Sequence, residues 1–329
     1  MNEGEVPSRL ASQTRGECGI EYLVNTRRSV VAAVTVLLLI AATIVAVRTI
    51  GRSPSASASS GTTVLKKSND VFYLDIGASV SVGVQPTPRD PRGQPTNRGY
   101  ANRLVTLEGA RGVTLRLTQL GCPGESIAAM IHGPDPCYVF PDTQLSDALV
   151  FLRAHHNAVT LVTVDLGFNT LDVCFHNLDI DLKCVVPKLA LLRKQLGQVM
   201  RSLTSAAGPH VAFIGLGHYN PYLTKSTSEG AAETFAGNSI VALRLMNQSL
   251  SQVYGSFKIS LADVSKAFHE EDTSVVRISK RENSTVNVQY ECKLTWMCAP
   301  TPFGPNIHPN DAGYMAIAKA IAAVWPPRI

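Results

Sequence analysis

Several patterns that would assign a function directly are missing from this chain of 329 residues. Its net charge is only +5, and no basic run alternates with aromatic residues, which argues against a nucleic-acid-binding domain. None of its 8 His residues stands in a His-x-x-x-His or similar spacing, and no Cys pair has the two-residue spacing of a zinc knuckle. We therefore expect neither a metal site nor a cofactor.

Charged residues are also missing from one long stretch, residues 29–47, which reads SVVAAVTVLLLIAATIVAV. About 19 residues rising about 1.5 Å each span about 30 Å, the thickness of the hydrocarbon core of a bilayer. We predict an uncleaved transmembrane signal anchor there, with a cytoplasmic tail at 1–28 and a flexible linker rich in Ser, Ala and Thr at 48–69. A cleaved signal peptide is the alternative, because Ala56-Ser57-Ala58 loosely resembles a cleavage site.

Cysteine placement predicts on which side of the membrane the remainder lies. Of 7 Cys residues, only Cys18 precedes the apolar stretch, and an even, closely spaced set follows it. Such a set fits short disulfide-closed loops in an oxidising compartment, so we predict an extracytoplasmic C-terminal domain. Many connectivities are possible, and pairing between neighbours is a hypothesis. Pairing between neighbours would join Cys122 to Cys137, Cys174 to Cys184, and Cys292 to Cys298.

Residues 70–329 are predicted to form one domain, because no repeat or second linker interrupts them. Short apolar segments alternate with helical patterns, which indicates a parallel sheet covered on both faces. The predicted strands are 71–76, 113–120, 158–165, 210–216 and 257–264, and the predicted helices are 143–155, 186–206, 229–254 and 312–325. This is a three-layer, doubly wound α/β fold of the flavodoxin-like type, whose ligands lie beyond the carboxyl ends of the strands. The polar segment 270–290 is expected to be a long surface loop.

Three residues in loops at or near this edge have side chains suited to acyl transfer. Ser79 follows the first strand in a Gly-rich turn, where a helix expected directly after it would offer N–H groups to an oxyanion. Asn169 follows the third strand, and its amide can donate to the same oxyanion. His308 precedes the last helix, and a nucleophile needs such a base within hydrogen-bond reach. Taken alone, residues in such positions more often have a purely structural role.

Four sequence blocks together resemble, in order, the SGNH hydrolases, which are the GDSL-like esterases and lipases, and more narrowly their actinobacterial secreted branch. The blocks are Tyr73–Gly83, Leu120–Ser126, Asp165–Leu171 and Ile307–Tyr314. The resemblance implies Ser79 as nucleophile, His308 as general base, and an oxyanion hole made by Ser79, Gly124 and Asn169. It implies hydrolysis of carboxylic esters, small or lipid, through an acyl-enzyme and without a cofactor.

Two positions depart from the family pattern. Ala78 stands where the family usually has Asp, and Asn306 or Pro305 stands where an Asp usually orients the His. In a serine protease the exchange of that Asp for Asn costs about 10⁴ in turnover, because the wrong His tautomer is held. The carbonyl of Asn306, or a main-chain carbonyl, could still accept from the His308 ring. The alternatives are a catalytically degenerate binding protein of the same fold and an acyltransferase acting on cell-envelope glycans.

Overall fold

The structure is a computed structural model, and it describes residues 70–176, 178–227, 229–279 and 283–325. The predicted tail, anchor and linker, residues 1–69, lie outside the described residues, so the anchor stays a prediction. Within the described ranges, no helix is both long and apolar enough to cross a bilayer.

Strands and helices alternate along the described part of the chain, as the sequence predicts. In chain order the strands are β1 (Asp70–Gly77), β2 (Thr114–Gln119), β3 (Val159–Asp165), β4 (Phe175–His176), β5 (Asp179–Ile180), β6 (Ala212–Leu216), β7 (Ser260–Ala262), β8 (Val275–Arg277), β9 (Asn283–Thr285), β10 (Thr295–Trp296) and β11 (Asn306–Pro309). The α-helices are α1 (Tyr100–Gly109), α2 (Ile127–His132), α3 (Gln144–Ala154), α4 (Phe168–Asp172), α5 (Leu182–Ala206), α6 (Ala231–Ser256), α7 (Val264–Ala267), α8 (Val286–Leu294) and α9 (Asp311–Val324), and Leu223–Thr227 is a 3₁₀-helix.

A five-stranded parallel sheet in the order β2-β1-β3-β6-β7 forms the centre of the fold. All five predicted strands are confirmed, although β7 is shorter than the predicted 257–264. The chain runs from β1 to β2 on one side and then returns to β3 on the other side of β1. Loops at the carboxyl ends of β1 and β3 therefore diverge, and this is the position where doubly wound sheets bind ligands.

Helices cover both faces of this sheet, each over its own apolar core. Alternation along β1 sends Leu74 and Ile76 to one face and Tyr73 to the other. The first face packs against α2, α3, α5 and α6, and the second against α1 and α9. The final helix begins as predicted, because the Asn310 side chain accepts from the N–H groups of Ala312 and Gly313.

The prediction of a helix directly after Ser79 is wrong. Residues 78–83 form turns instead, and the next helix begins only at Tyr100. Gly83 explains the difference: it has a φ of 63°, and a Cβ there would lie 2.5 Å from backbone atoms of Gly99. The backbone at Gly83 therefore packs directly against the backbone at Gly99, and a helix continuing from Ser79 would prevent this contact.

The surface loop predicted at 270–290 is also wrong. Strands β8 and β9 form an antiparallel hairpin there, and α8 follows it. Asn287 is buried and Glu270 is partly buried, and Asn287 Nδ2 donates to the main-chain oxygen of Glu270 at 3.2 Å. The hairpin is largely exposed, so the error lies in the predicted loop and not in its position at the surface.

Three disulfides close short loops around the sheet. They join Cys122 to Cys137, Cys174 to Cys184, and Cys292 to Cys298, which is the neighbour pairing expected from the sequence. The first encloses α2, the second encloses the β4–β5 hairpin, and the third joins α8 to the segment between β10 and β11.

Candidate active site

One cavity lies at the carboxyl edge of the sheet, where β1, β3 and β6 end. It brings together three residues predicted from the sequence, Ser79, Asn169 and His308. The full lining is Ala78, Ser79, Val80, Asp165, Gly167, Phe168, Asn169, His218, Tyr219, Pro221, Ile307 and His308. The cavity therefore combines a hydroxyl, an amide and two imidazoles within mainly apolar walls.

Asn306 fixes the orientation and the tautomer of the His308 ring. Its Nδ2 donates to the main-chain oxygens of Pro91 at 2.8 Å and Arg92 at 3.1 Å. With both amide hydrogens engaged, the Oδ1 atom faces the ring and accepts from His308 Nδ1–H at 2.8 Å. The same oxygen accepts the His308 main-chain N–H at 2.9 Å. The proton is held on Nδ1, so Nε2 is left unprotonated and able to act as a base.

The electrostatic setting of His308 differs from that of a triad with a carboxylate. Burial lowers the pKa of His308 to about 4, since removal from water disfavours the imidazolium. The neutral amide of Asn306 supplies no negative charge to offset this effect. The ring is therefore neutral, and able to accept a proton, at every pH above about 5.

The turn that carries Ser79 is fixed by hydrogen bonds on both sides of it. Ala78 N–H donates to the main-chain oxygen of Asp165 at 3.2 Å, and Val84 N–H donates to that of Ser79 at 3.0 Å. The Ser81 hydroxyl donates to the Ala78 oxygen at 2.7 Å. The Ser79 N–H takes no part in these bonds, which leaves it available to an oxyanion.

Asn169 and Gly124 belong to two adjoining loops. Asn169 Nδ2 donates one hydrogen to the main-chain oxygen of Glu125 at 3.0 Å, which leaves its second hydrogen for a ligand. Gly124, next to Glu125, has a φ of 84°, a conformation that favours glycine. Gly124 does not line the cavity, so its connection to the site runs through Glu125 and Asn169.

A buried pair of side chains joins the nucleophile turn to the Gly124 loop. Gln144 accepts from Gly77 N–H at 2.8 Å and donates to Gly77 O at 2.9 Å. Its Nε2 also donates to Glu125 Oε2 at 3.2 Å. Burial raises the pKa of Glu125 to about 8, so this side chain is mostly protonated at neutral pH and adds little charge beside the oxyanion position.

Two further residues line the cavity that were not predicted from the sequence to have a functional side chain. They are Asp165 and His218. His218 Nε2 lies 3.7 Å from Asp165 Oδ1 and 3.3 Å from the main-chain oxygen of Leu166. The sequence contained a signal for both residues, because His218 follows β6, the fourth predicted strand, by two residues, and Asp165 is the last residue of β3. The rule that strand-end residues form the site points to both.

Potential metal ligands come close together at one place in the described ranges, at Cys122, Asp135 and Cys137. The two sulfur atoms are joined in a disulfide, so neither offers the thiolate that binds a metal. This group therefore carries no metal-site assignment.

No family model matches this chain, and no curated protein matches it. Solved structures similar to it include an extracellular lipase from Streptomyces rimosus, with 18% identity over 76% of this chain and 99% of that chain, at a TM-score of 0.49. A phospholipase A1 from Streptomyces albidoflavus has 17% identity over 76% of this chain and 98% of its own, also at 0.49. An acetyl-xylooligosaccharide esterase from Geobacillus has 14% identity over 77% and 93%, at 0.47. All three are lipases or esterases, and the likeness does not test the actinobacterial branch.

Proposed function

We propose that this chain is a serine carboxylic-ester hydrolase of the SGNH type. The observation that carries the proposal is the single cavity that holds Ser79, Asn169 and His308, with Asn306 keeping the proton on the far side of the imidazole. A hydroxyl, a base of defined tautomer and a free amide donor are the components that acyl transfer needs.

In the proposed mechanism, His308 Nε2 takes the proton of the Ser79 hydroxyl as its oxygen attacks the ester carbonyl. The tetrahedral oxyanion accepts hydrogen bonds from the Ser79 N–H and the Asn169 amide, and the loop at Gly124 holds that amide through the Glu125 main-chain oxygen. Collapse of this intermediate expels the alcohol, which takes the proton from His308, and leaves an acyl-Ser79 ester. Water then gives its proton to His308 and attacks the acyl group, which releases the acid and restores Ser79.

Hydrolysis of short-chain p-nitrophenyl esters by the full chain tests this mechanism. Ser79→Ala and His308→Ala should each reduce kcat/KM by at least about 100-fold, the usual contribution of a nucleophile or a positioned base. The exposed Ser251 and His156 supply the controls, and their Ala variants should match the wild type. If the wild type is no faster than Ser79→Ala, the proposal fails for these esters.

A non-catalytic binding protein with the same fold is the second candidate, and the neutral amide behind His308 favours it. Without a carboxylate there, no negative charge stabilises the imidazolium that forms during catalysis. This candidate predicts a Ser79 that does not react with fluorophosphonates, whereas the hydrolase predicts stoichiometric labelling.

We further propose that the enzyme is anchored to the cell membrane with its catalytic domain outside the cytoplasm. The apolar segment 29–47 and the three disulfides support this placement. Protease added to intact cells should digest the C-terminal domain while the protein remains in the membrane fraction. Recovery in the soluble cytoplasm with reduced cysteines would contradict the placement.

A further inference from the structure

The turn around Ser79 lacks the side chain that its motif leads one to expect. Ala78 carries only a methyl group, which is 9% exposed and can accept no hydrogen bond. The backbone N–H groups of the turn are enclosed, and such groups need acceptors because an unpaired buried N–H destabilises the fold. A different residue must supply them.

Asp165, at the end of the neighbouring strand β3, supplies two of these acceptors. Its main-chain oxygen accepts Ala78 N–H at 3.2 Å, and its carboxylate accepts the N–H of Ser81. One residue therefore holds the turn on both sides of Ser79. Asp165 is only 2% exposed, so its carboxylate has few alternative partners.

The carboxylate is in turn held by His218. Asn247 fixes the His218 backbone through two hydrogen bonds, one from His218 N–H and one to His218 O, each 2.8 Å long. This places His218 Nε2 3.3 Å from the Leu166 oxygen and 3.7 Å from Asp165 Oδ1. The imidazole therefore lies within ion-pair distance of the Asp165 carboxylate.

We propose that Asp165 is a positioning residue for the nucleophile, holding Ser79 through the N–H groups of Ala78 and Ser81, and that His218 keeps the Asp165 carboxylate in place. Asp165 thereby supports the turn from a neighbouring strand, since the Ala78 side chain can accept no hydrogen bond. The inference rests on the proposed function, since it assigns a role in placing the attacking hydroxyl.

The test compares Asp165→Ala, which removes the carboxylate acceptor of Ser81 N–H and keeps the main-chain acceptor of Ala78 N–H, with Asp165→Asn, which keeps a side-chain oxygen that can accept the Ser81 N–H. Asp172→Asn is the control, because Asp172 is an exposed carboxylate at the end of α4, the helix that follows β3. Two quantities are measured on the full chain: amide hydrogen exchange of peptides covering residues 77–83, and kcat/KM with its separate kcat and KM.

We expect Asp165→Ala to speed exchange in the 77–83 peptides at least about tenfold while peptides from α5 keep their protection. We expect its kcat to fall about 100-fold with little change in KM, since a misplacement of about 1 Å has an effect of that size. Asp165→Asn should recover most of both quantities, and Asp172→Asn should match the wild type. Unchanged exchange at 77–83, or an equal loss of protection in every peptide, overturns the proposal.

His218 provides a second pair of variants should Asp165→Ala fail to fold. His218→Gln retains a side-chain N–H donor and should keep the slow exchange at 77–83, whereas His218→Ala should lose it. Equal exchange in these two variants also overturns the proposal. If the wild type hydrolyses no ester, the proposed function fails, but the exchange measurement still decides whether Asp165 holds the turn.

Discussion

Asn306→Asp would place a carboxylate against the His308 ring and so restore the charge that SGNH-type triads usually contain. The Nδ1–H of His308 now donates to an amide oxygen at 2.8 Å, and it would donate to a carboxylate oxygen in the variant. An opposite charge at this distance moves a pKa by about 1–3 units toward the charged form. The pKa of His308, about 4 in the wild type, should therefore rise to between about 5 and 7.

The same substitution should weaken the fold. Asn306 Nδ2 now donates to the oxygens of Pro91 and Arg92, and a carboxylate can donate to neither. Pro91 and Arg92 are exposed, so water can reach their oxygens, and each lost hydrogen bond should cost only about 0.5–1.5 kcal/mol; the free energy of unfolding should fall by about 1–3 kcal/mol. Asn310→Asp is the matched control, because Asn310 Nδ2 also donates to two main-chain oxygens, at 2.9 and 3.0 Å, but does not contact His308.

The assay is kcat/KM for a p-nitrophenyl ester between pH 3.5 and 9, together with urea unfolding at pH 7. In the wild type the acid limb should lie near pH 4, where His308 becomes protonated. In Asn306→Asp the limb should move upward by about 1–3 units, and kcat/KM above pH 8 should equal or exceed that of the wild type, since a more basic imidazole is a better general base. Asn310→Asp should lose stability without any shift of the limb. An unmoved limb in Asn306→Asp, with kcat/KM reduced, would refute the placement of Asn306 against the base.

Three further changes test other parts of the structure. Burial raises the pKa of Glu291 to about 8 from an ordinary 4.5, so folding takes up a proton between these pH values and stability falls as the pH rises from 4.5 to 8. Glu291→Gln can still accept the Thr224 N–H, and it should raise the free energy of unfolding at pH 8 by at least about 1 kcal/mol while changing it little at pH 4. Urea titrations at the two pH values measure this difference. Gly124→Ala should cost about 1–2 kcal/mol in unfolding experiments, because the residue has a φ of 84° although space for a methyl group is open, and kcat should fall if this loop supports the oxyanion. Replacing Cys122 and Cys137 together by Ala should lower the melting temperature by opening a loop of 15 residues, a loss of about 3 kcal/mol, and an unchanged melting temperature would argue against this disulfide.

Local sequence patterns predicted the sheet because each strand is apolar along its own length. Segments such as 158–165 are rich in β-branched residues and end at a glycine turn, and both features act within a few residues. The helix after Ser79 could not be excluded in this way. Its absence depends on the close approach of Gly83 to Gly99, a contact that no local pattern records.

The candidate site also contains features that local patterns predict and features that depend on distant contacts. Ser79, Asn169 and His308 were predicted because each stands in a recognisable motif. The orientation of the Asn306 amide was not, since it is set by the Pro91 oxygen, 215 residues away in the chain. The pairing of Asp165 with His218 likewise depends on two strands that become neighbours only in the folded sheet.

Labelling of the full chain with a fluorophosphonate, followed by peptide mass mapping, tests the central claim most directly. The proposed mechanism predicts one adduct per chain, located on Ser79, whose rate of formation falls at least about 100-fold in His308→Ala and is unchanged in His156→Ala. Absence of an adduct, or an adduct on another residue, would contradict the assignment of Ser79 as a nucleophile activated by His308.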